Sequence, residues 1–143
     1  MKSFLKTISL HSKEDMEIID ITQEILDAVQ EAGFDLGTVH IMTKHTTSGI
    51  TVNEGLPDIE QDILEMLHRI APRKHNYRHA RFLHSDGQMA VNGYSHLRSA
   101  VLGKDTIFPL HDGKMVMGSR QTIYFVEMDG PLHREYVVHV LGE

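Results

Sequence analysis

The sequence predicts an α+β fold, a single domain built on a largely antiparallel β-sheet structure of about seven strands with three helices. Two observations predict it: helical and β-type patterns are interspersed along the chain, and tight turns join the last four β-type runs. A length of 143 residues is close to the most common size of one domain. No internal repeat or linker interrupts it, so we expect one domain over residues 1–143.

The first half of the chain alternates strand and helix patterns. Residues 3–10 alternate apolar and polar side chains, as an edge strand does. A capping pattern at 12–15, apolar residues spaced by three or four from Ile18 to Ala32, and a stop at Gly33 predict the first helix. Two β-rich runs, 38–43 and 50–52, then flank a polar corner.

The second half begins with a helix and ends in strands. Pro57 and Asp58 open the second helix, and Pro72 ends it. Residues 71–92 show no periodicity, which is typical of a functional or mobile segment. A short helix over 94–102 closes at Gly103, and turns at 111–114 and 129–131 separate the β-type runs 106–110, 114–117, 121–127 and 135–141.

The composition excludes several classes of function. The chain has no cysteine, which agrees with a reducing compartment and leaves only His, Asp and Glu to hold a metal. A net charge of −6 without a basic stripe argues against a nucleic-acid partner. No apolar run is long enough to span a membrane, and the first residues lack a signal-peptide core, so we expect a cytoplasmic protein.

Histidine is the unusual residue, with 11 in 143 residues and six of them between His45 and His96. His45, His79 and His96 lie in the corner, the irregular segment and the third helix, and three imidazoles plus a water are a ligand set for catalytic zinc. No compact signature such as His-Glu-x-x-His is present. The spacing therefore leaves two interpretations open, a three-histidine metal site or separate surface histidines.

Three other polar groupings are candidates for binding. The corner 45–49 presents hydroxyls and amides that suit an anion, although such side chains also satisfy a turn's own backbone. Asp58 and Asp62 share a helical face, either solvated or facing a cation. Residues 118–121 offer Arg120, whose guanidinium can bind phosphate or carboxylate. No P-loop, dinucleotide fingerprint or nucleophile elbow occurs.

Taken in order along the chain, several motifs resemble the YjbQ-like family, also called secondary thiamine-phosphate synthases. The motifs are HTTSGITVNE at 45–54, the acids at 58 and 62, NYxH at 76–79, NGxxHL at 92–97, LG at 102–103, GxxxxGSRQTI at 113–123 and ExDGP at 127–131. They span nearly the whole chain, so the sequence is identified as a member of this family.

The resemblance implies a homotrimer and a polar pocket in which His45, His79 and His96 gather and bind a divalent metal. Zinc is the first choice, and manganese, iron and nickel also suit such ligands. The implied reaction joins hydroxymethylpyrimidine diphosphate to thiazole phosphate and releases diphosphate, with Glu54, His45 and His96 as catalytic residues. We assign binding of the phosphorylated substrate to Thr46, Thr47, Asn53, Asp58, Arg120 and Gln121.

The sequence departs from the family at Arg120, where the family usually has tryptophan. An aromatic stacking wall is thereby replaced by a cation, which puts the identity of the ligand in question. Two alternatives to thiamine-phosphate synthesis therefore stand. The protein is a different metal-dependent enzyme that acts on a phosphorylated metabolite, or it is a non-catalytic trimeric module that binds a metal or a metabolite.

Overall fold

The computed structural model describes residues 1–79, 82–83, 88–89 and 91–143. Within them three helices and eight strands build two antiparallel sheets, and a two-residue pair of strands stands apart. The predicted α+β class and its antiparallel sheets are confirmed. The helices are α1 (Thr22–Ala32), α2 (Pro57–Ile70) and α3 (Gly93–Leu102). The described helices include none that is both long enough and apolar enough to cross a membrane.

The larger sheet has five strands in the order β1-β10-β3-β7-β8, and every neighbouring pair in it is antiparallel. Its strands are β1 (Lys2–His11), β3 (Gly37–Thr43), β7 (Asp105–His111), β8 (Lys114–Met115) and β10 (His133–Gly142). The pair at one edge of this sheet is long, because β1 and β10 match along ten residues, from Lys2 opposite Gly142 to His11 opposite His133.

The smaller sheet has three strands in the order β2-β9-β4. They are β2 (Glu17–Asp20), β4 (Ser48–Glu54) and β9 (Gln121–Glu127). The separate pair is β5 (Phe82–Leu83) with β6 (Gln88–Met89), in the segment for which no periodicity was expected. The rest of that segment between Ala80 and Ala90 lies outside the described residues.

The core has two parts, one on each face of the smaller sheet. Between the two sheets, with α1 packed against them, lies the main cluster, to which β9 contributes Ile123 and Phe125. On the opposite face α2 covers Tyr124 and Val126 with Leu67. Because β9 is buried on both faces, its run 123–126 is continuously apolar rather than alternating.

The predicted start of the first helix is wrong. Residues 17–20 form strand β2, and α1 begins only at Thr22. Ile18 packs in the α2 cluster while Ile19 packs against the main cluster, and neighbours that point to opposite faces are the mark of a strand. Ser12 does not cap a helix, because its hydroxyl donates to Glu127. The other predicted elements are present with shifted ends, such as β4, which is longer, and β8, which is shorter.

Candidate active site

The candidate site lies where the corner between β3 and β4 meets α3. Hydrogen bonds close this corner: Thr43 Oγ1 lies 2.7 Å from Ser48 Oγ and accepts the His45 backbone N–H at 3.2 Å. Ser99 of α3 donates its hydroxyl to the Ser48 carbonyl at 2.6 Å. The corner therefore holds the His45 side chain at a fixed place beside the helix.

Gly49 permits the close approach of α3 to β4. A Cβ atom at this position would stand 2.7 Å from Leu102 Cδ2 and 2.8 Å from the Gly103 carbonyl oxygen. Two backbone hydrogen bonds complete the junction, from Ile50 N–H to Gly103 O and from Thr43 N–H to Lys104 O. The second of these positions Lys104 next to the corner. A side chain at residue 49 would separate the two elements that form the site.

A cavity of about 370 Å³ opens at this junction. This volume falls in the range of small-molecule sites, which is roughly 300–1,000 Å³. Polar groups and one cation line it together with small residues, and the lining consists of His45, Thr46, His96, Ser99, Ala100, Gly103 and Lys104. Two of the three predicted histidines and Thr46 thus share one cavity.

His79 lies next to this cavity, because its ring centroid is 4.8 Å from that of His96. Asn92 Oδ1 lies 3.2 Å from Nε2 of His79, and the Asn92 amide donates to Asp129 Oδ2 at 2.8 Å. A chain of polar groups therefore runs from the His79–His96 pair to the Asp129 carboxylate in the turn after β9. The structure brings the three histidines to one region of the molecule.

Both cavity histidines favour the neutral form. Burial, and then the charge of Arg134, lowers the pKa of His45 below its ordinary value. Burial and the neighbouring His79 lower the pKa of His96 in the same direction. His45 Nε2 accepts the backbone N–H of Glu135 at 2.9 Å. Neutral imidazoles can accept protons from a ligand, and they are also the form that binds metals.

The three histidines do not by themselves form a metal centre. Among residues 1–79, 82–83, 88–89 and 91–143, no three His, Asp or Glu side chains come close enough together to hold an ion. Nε2 of His45 already accepts a hydrogen bond from the Glu135 backbone N–H, and Nε2 of His79 lies 3.2 Å from Asn92 Oδ1. The arrangement as it stands does not fit a bound metal, and the predicted zinc site stays a prediction.

The remaining predicted site residues lie at the other end of β4. Glu54 is its last residue and pairs with Arg120, whose Nη1 is 3.1 Å from Glu54 Oε1. Six residue steps of about 3.3 Å separate Ser48 from Glu54, roughly 20 Å along the strand. The predicted catalytic set of Glu54, His45 and His96 therefore does not come together within one subunit.

The predicted substrate-binding residues near Glu54 make local hydrogen bonds. Asn53 accepts the Glu54 N–H, Asp58 accepts the Ile59 N–H at the start of α2, and Gln121 accepts the Gly118 N–H. Thr47 is on the histidine side, but its side chain is buried and accepts a hydrogen bond from Arg134. Of the predicted substrate-binding residues, only Thr46 lines the cavity.

Sequence reasoning missed a buried ion pair that supports the site. Glu127 is fully buried, and Arg134 donates to it from Nε at 2.9 Å and from Nη2 at 2.5 Å. Arg134 Nη2 also donates to Thr47, and Glu127 accepts the backbone N–H of Asp129. The pair thus fixes both the corner and the Asp129 turn. A charged residue at the end of the apolar run 123–126 was the signal for it.

Burial alone raises the pKa of Glu127, but hydrogen bonds from Arg134 and Ser12 outweigh it and hold the pKa below its usual range. The pair is therefore ionised at neutral pH. No sequence pattern marks Ser99 and Lys104 as site residues, because their positions depend on the packing of α3 against β4.

Comparison with known proteins agrees with this arrangement of elements. A family profile described as "UPF0047 protein YjbQ-like" matches residues 6–143. The chain belongs to this family. YugU of Bacillus subtilis, described as a UPF0047 protein, is 33% identical over 139 residues, which cover 96% of this chain and 99% of YugU. A UPF0047 protein of Methanocaldococcus jannaschii is 35% identical over 128 residues, covering 89% and 86% of the two chains.

Solved YjbQ-like structures show the same fold. A "YbjQ-like protein of unknown function" from Sulfolobus solfataricus superposes with a TM-score of 0.90 at 29% identity, covering 99% of each chain. An "uncharacterized conserved protein" of the YjbQ/UPF0047 family from Clostridium acetobutylicum has a TM-score of 0.83 at 34% identity, covering 95% of this chain and 99% of that one. These likenesses establish the family and the fold of this YjbQ-like chain.

Proposed function

We propose that this protein is a small-molecule enzyme of the thiamine-phosphate synthase type whose active site is the cavity between His45 and His96. The observation that carries the proposal is the cavity itself, whose lining residues include two histidines with lowered pKa values, the hydroxyl residues Thr46 and Ser99, and Lys104. A phosphorylated ligand suits this lining, because the ammonium offers a positive charge and three hydrogen-bond donors. We expect the protein to act in the cytoplasm, since a chain without cysteine suits a reducing compartment.

In this reaction the thiazole nitrogen attacks the methylene carbon of hydroxymethylpyrimidine diphosphate. A carbon–nitrogen bond forms, the carbon–oxygen bond to diphosphate breaks, and diphosphate leaves with the electron pair. Negative charge therefore grows on the departing oxygen. Lys104 stabilises that charge, an electrostatic contribution that is often the largest part of catalysis. His45 and His96 orient the substrate by accepting hydrogen bonds. No step in this mechanism uses a metal.

The assembly is part of the proposal. We expect a homotrimer, as the family resemblance implies, because the outer face of the five-stranded sheet is not covered by any described element and exposes apolar residues. Leu5 is 64% exposed and Ile107 is 59% exposed, and they flank the cross-strand neighbours His139 and His40. Sedimentation velocity tests the assembly, and a monomer at micromolar concentration would contradict it.

The activity is tested by incubating the purified protein with hydroxymethylpyrimidine diphosphate and thiazole phosphate and measuring thiamine phosphate by mass spectrometry. We expect His96→Ala and Lys104→Gln to lower the rate at least about 100-fold, the usual contribution of one such group. His111→Ala is the matched control, since this histidine is exposed on β7, outside the cavity lining, and its ring lies 3.7 Å from the Asp112 carboxylate. Absence of product from wild type, with and without added metal, would reject the proposed reaction.

A second candidate is favoured by a specific observation. Among the residues that the structure describes, the cavity lining includes no Phe, Tyr or Trp side chain and so offers no broad stacking wall for a pyrimidine ring. This favours a different enzyme acting on a phosphorylated metabolite without such a ring. Ligand-induced thermal shifts with a panel of sugar and alcohol phosphates distinguish the two candidate functions. An enzyme of the second kind is stabilised by one of these phosphates and not by the thiamine precursors. A ligand that co-purifies and is never converted would instead support the non-catalytic module.

The predicted metal has its own test. Elemental analysis of the purified protein is compared with a triple variant, His45→Ala, His79→Ala and His96→Ala. Near-stoichiometric zinc that stays on the wild type after loading and mild dialysis, and that is lost from the triple variant, would show that the three side chains rearrange around an ion and would support the site. Equal metal contents in the two proteins would reject the three-histidine site while leaving the metal-free reaction standing.

A further inference from the structure

A second pair of histidines, which has no part in the proposed activity, lies at the end of the long β1–β10 ladder. His11 and His133 are direct partners in the antiparallel register, and their side chains share the outer face of the five-stranded sheet. His11 Nε2 lies 3.2 Å from His133 Nδ1, and the ring centroids are 4.6 Å apart. We propose that this pair is a surface site for a borderline divalent transition-metal ion, with copper(II) bound most tightly.

The separation of the two nitrogens fits a shared ion. Zinc–imidazole bonds are about 2.0–2.1 Å long, so two nitrogens on one ion stand about 2.9 Å apart at a right angle and about 3.4 Å apart at the tetrahedral angle. The 3.2 Å between His11 Nε2 and His133 Nδ1 lies between these limits. An ion can therefore join the two rings after small side-chain rotations, in place of the hydrogen bond they now share.

The backbone holds both positions rigidly. Beyond the ladder, Ser12 N–H donates to the Leu132 carbonyl at 3.0 Å, and Leu132 N–H donates to the Ser12 hydroxyl at 2.8 Å. The next residue, Arg134, is 4% exposed and fixed by its ion pair with Glu127. Binding therefore orders only two short side chains, which keeps its entropic cost low.

The surroundings favour a cation. Among the described residues, neither histidine pairs with a carboxylate that would compete for its ring nitrogen. Glu135 lies two residues beyond His133 on the same face, and Lys44 holds its carboxylate only at 3.9 Å. Its negative charge favours a cation on this face, but no three His, Asp or Glu side chains of the described residues come close enough together to form a three-ligand site, so water fills the positions that the two rings leave open. Imidazole ligands suit zinc, nickel and copper, and affinity is highest for copper in that series.

This site is separate from the cavity. His45 faces β10 through its hydrogen bond to the Glu135 backbone N–H, a contact that the side chains of His11 and His133 do not share. The proposal therefore does not depend on the proposed enzyme activity. A binding experiment can be designed in which the two sites respond to different variants.

The test is a copper(II) titration of the full chain, followed by calorimetry and electron paramagnetic resonance. We expect one copper with nitrogen hyperfine structure, and an affinity at least about tenfold lower in His11→Ala and in His133→Ala. His111→Ala is the matched control, because it removes another exposed histidine of the same sheet, which lies 3.7 Å from Asp112. The triple variant of His45, His79 and His96 should retain this binding.

Unchanged affinity in both His11→Ala and His133→Ala would overturn the proposal, as would loss of all tight binding in the triple variant. Wild-type protein supplies a second measurement that needs no substitution. Substoichiometric copper should broaden the imidazole NMR signals of His11 and His133 before those of the other histidines. Broadening that begins at His45 or His96 would contradict the assignment.

Discussion

Replacing Arg134 with methionine is expected to destabilise the protein by about 3–5 kcal/mol, the cost of leaving one member of a buried ion pair alone. Glu127 and Arg134 are 0% and 4% exposed, so water cannot replace the lost guanidinium. Methionine keeps an unbranched apolar stem as far as the position of Nε and removes the guanidinium charge with its donors. The same change also releases Thr47, to which Arg134 Nη2 donates at 2.8 Å.

The hydrogen bonds that Glu127 keeps in the variant limit the loss of unfolding free energy. Without Arg134, the carboxylate still accepts hydrogen bonds from Ser12 Oγ at 2.6 Å and from the backbone N–H groups of Met128 and Asp129. Burial then dominates and raises the pKa of Glu127, so the variant's carboxyl takes up a proton as the pH falls. A raised folded-state pKa makes the loss larger at high pH and smaller at low pH.

The assay is urea unfolding at one fixed protein concentration, at pH 8 and at pH 5. The lysine of an exposed ion pair, Lys6 with Glu31, provides the control, since Lys6→Met should cost no more than about 1 kcal/mol. Combining Arg134→Met with Glu127→Leu should destabilise less than the sum of the single changes, with a coupling of about 2 kcal/mol or more. Additive losses, or a loss for Arg134→Met as small as the control's, would refute the reasoning.

Three further predictions concern protonation, close packing and a buried hydroxyl. The pKa values of His45, His68 and His96 are lowered in the folded state, so near and below the ordinary histidine pKa of 6.5 the unfolded chain binds more protons than the folded one. The urea midpoint should therefore fall as the pH drops from 7 toward 5, and a rising midpoint would contradict this. Gly49→Ala should cost about 1–3 kcal/mol in the same assay, because its Cβ meets Leu102 and Gly103, and a neutral result would mean that α3 shifts freely. Tyr136→Phe should leave thermal stability unchanged or raise it by up to about 1 kcal/mol, because the Tyr136 hydroxyl is buried without a hydrogen-bond partner in the described part of the chain; a clear loss would reveal a partner.

Most elements of the fold could be predicted from the sequence because their signals are local. The second helix begins at Pro57, as the rule for proline at a first helical position predicts, and its apolar stripe packs through Leu67. Strand β2 could not be predicted, because Ile18 extends the three-to-four spacing of Ile21 and Ile25 and so fits the helical stripe. Only the presence of separate cores on the two sides of the smaller sheet makes them strand residues.

The candidate site, too, could be predicted only in part from the sequence. The motif around His45 marked a functional corner, and the same reasoning grouped Glu54 and Arg120 with it. The structure separates these two groups by the length of β4, because a strand keeps its ends apart however close they are in sequence. Conversely, Lys104 and Asp129 join the histidines because α3 and the end of β9 pack there.

The sequence by itself determined the class of this protein, its antiparallel sheets, its family and the histidines worth testing, since residue types, turns and helical periods are properties of short segments. Only the tertiary structure decided which of those residues meet. Glu127 and Arg134 are seven positions apart on different strands, and His11 and His133 pair across nearly the whole chain. Such contacts depend on strand register and on packing between sheets, which no local pattern records.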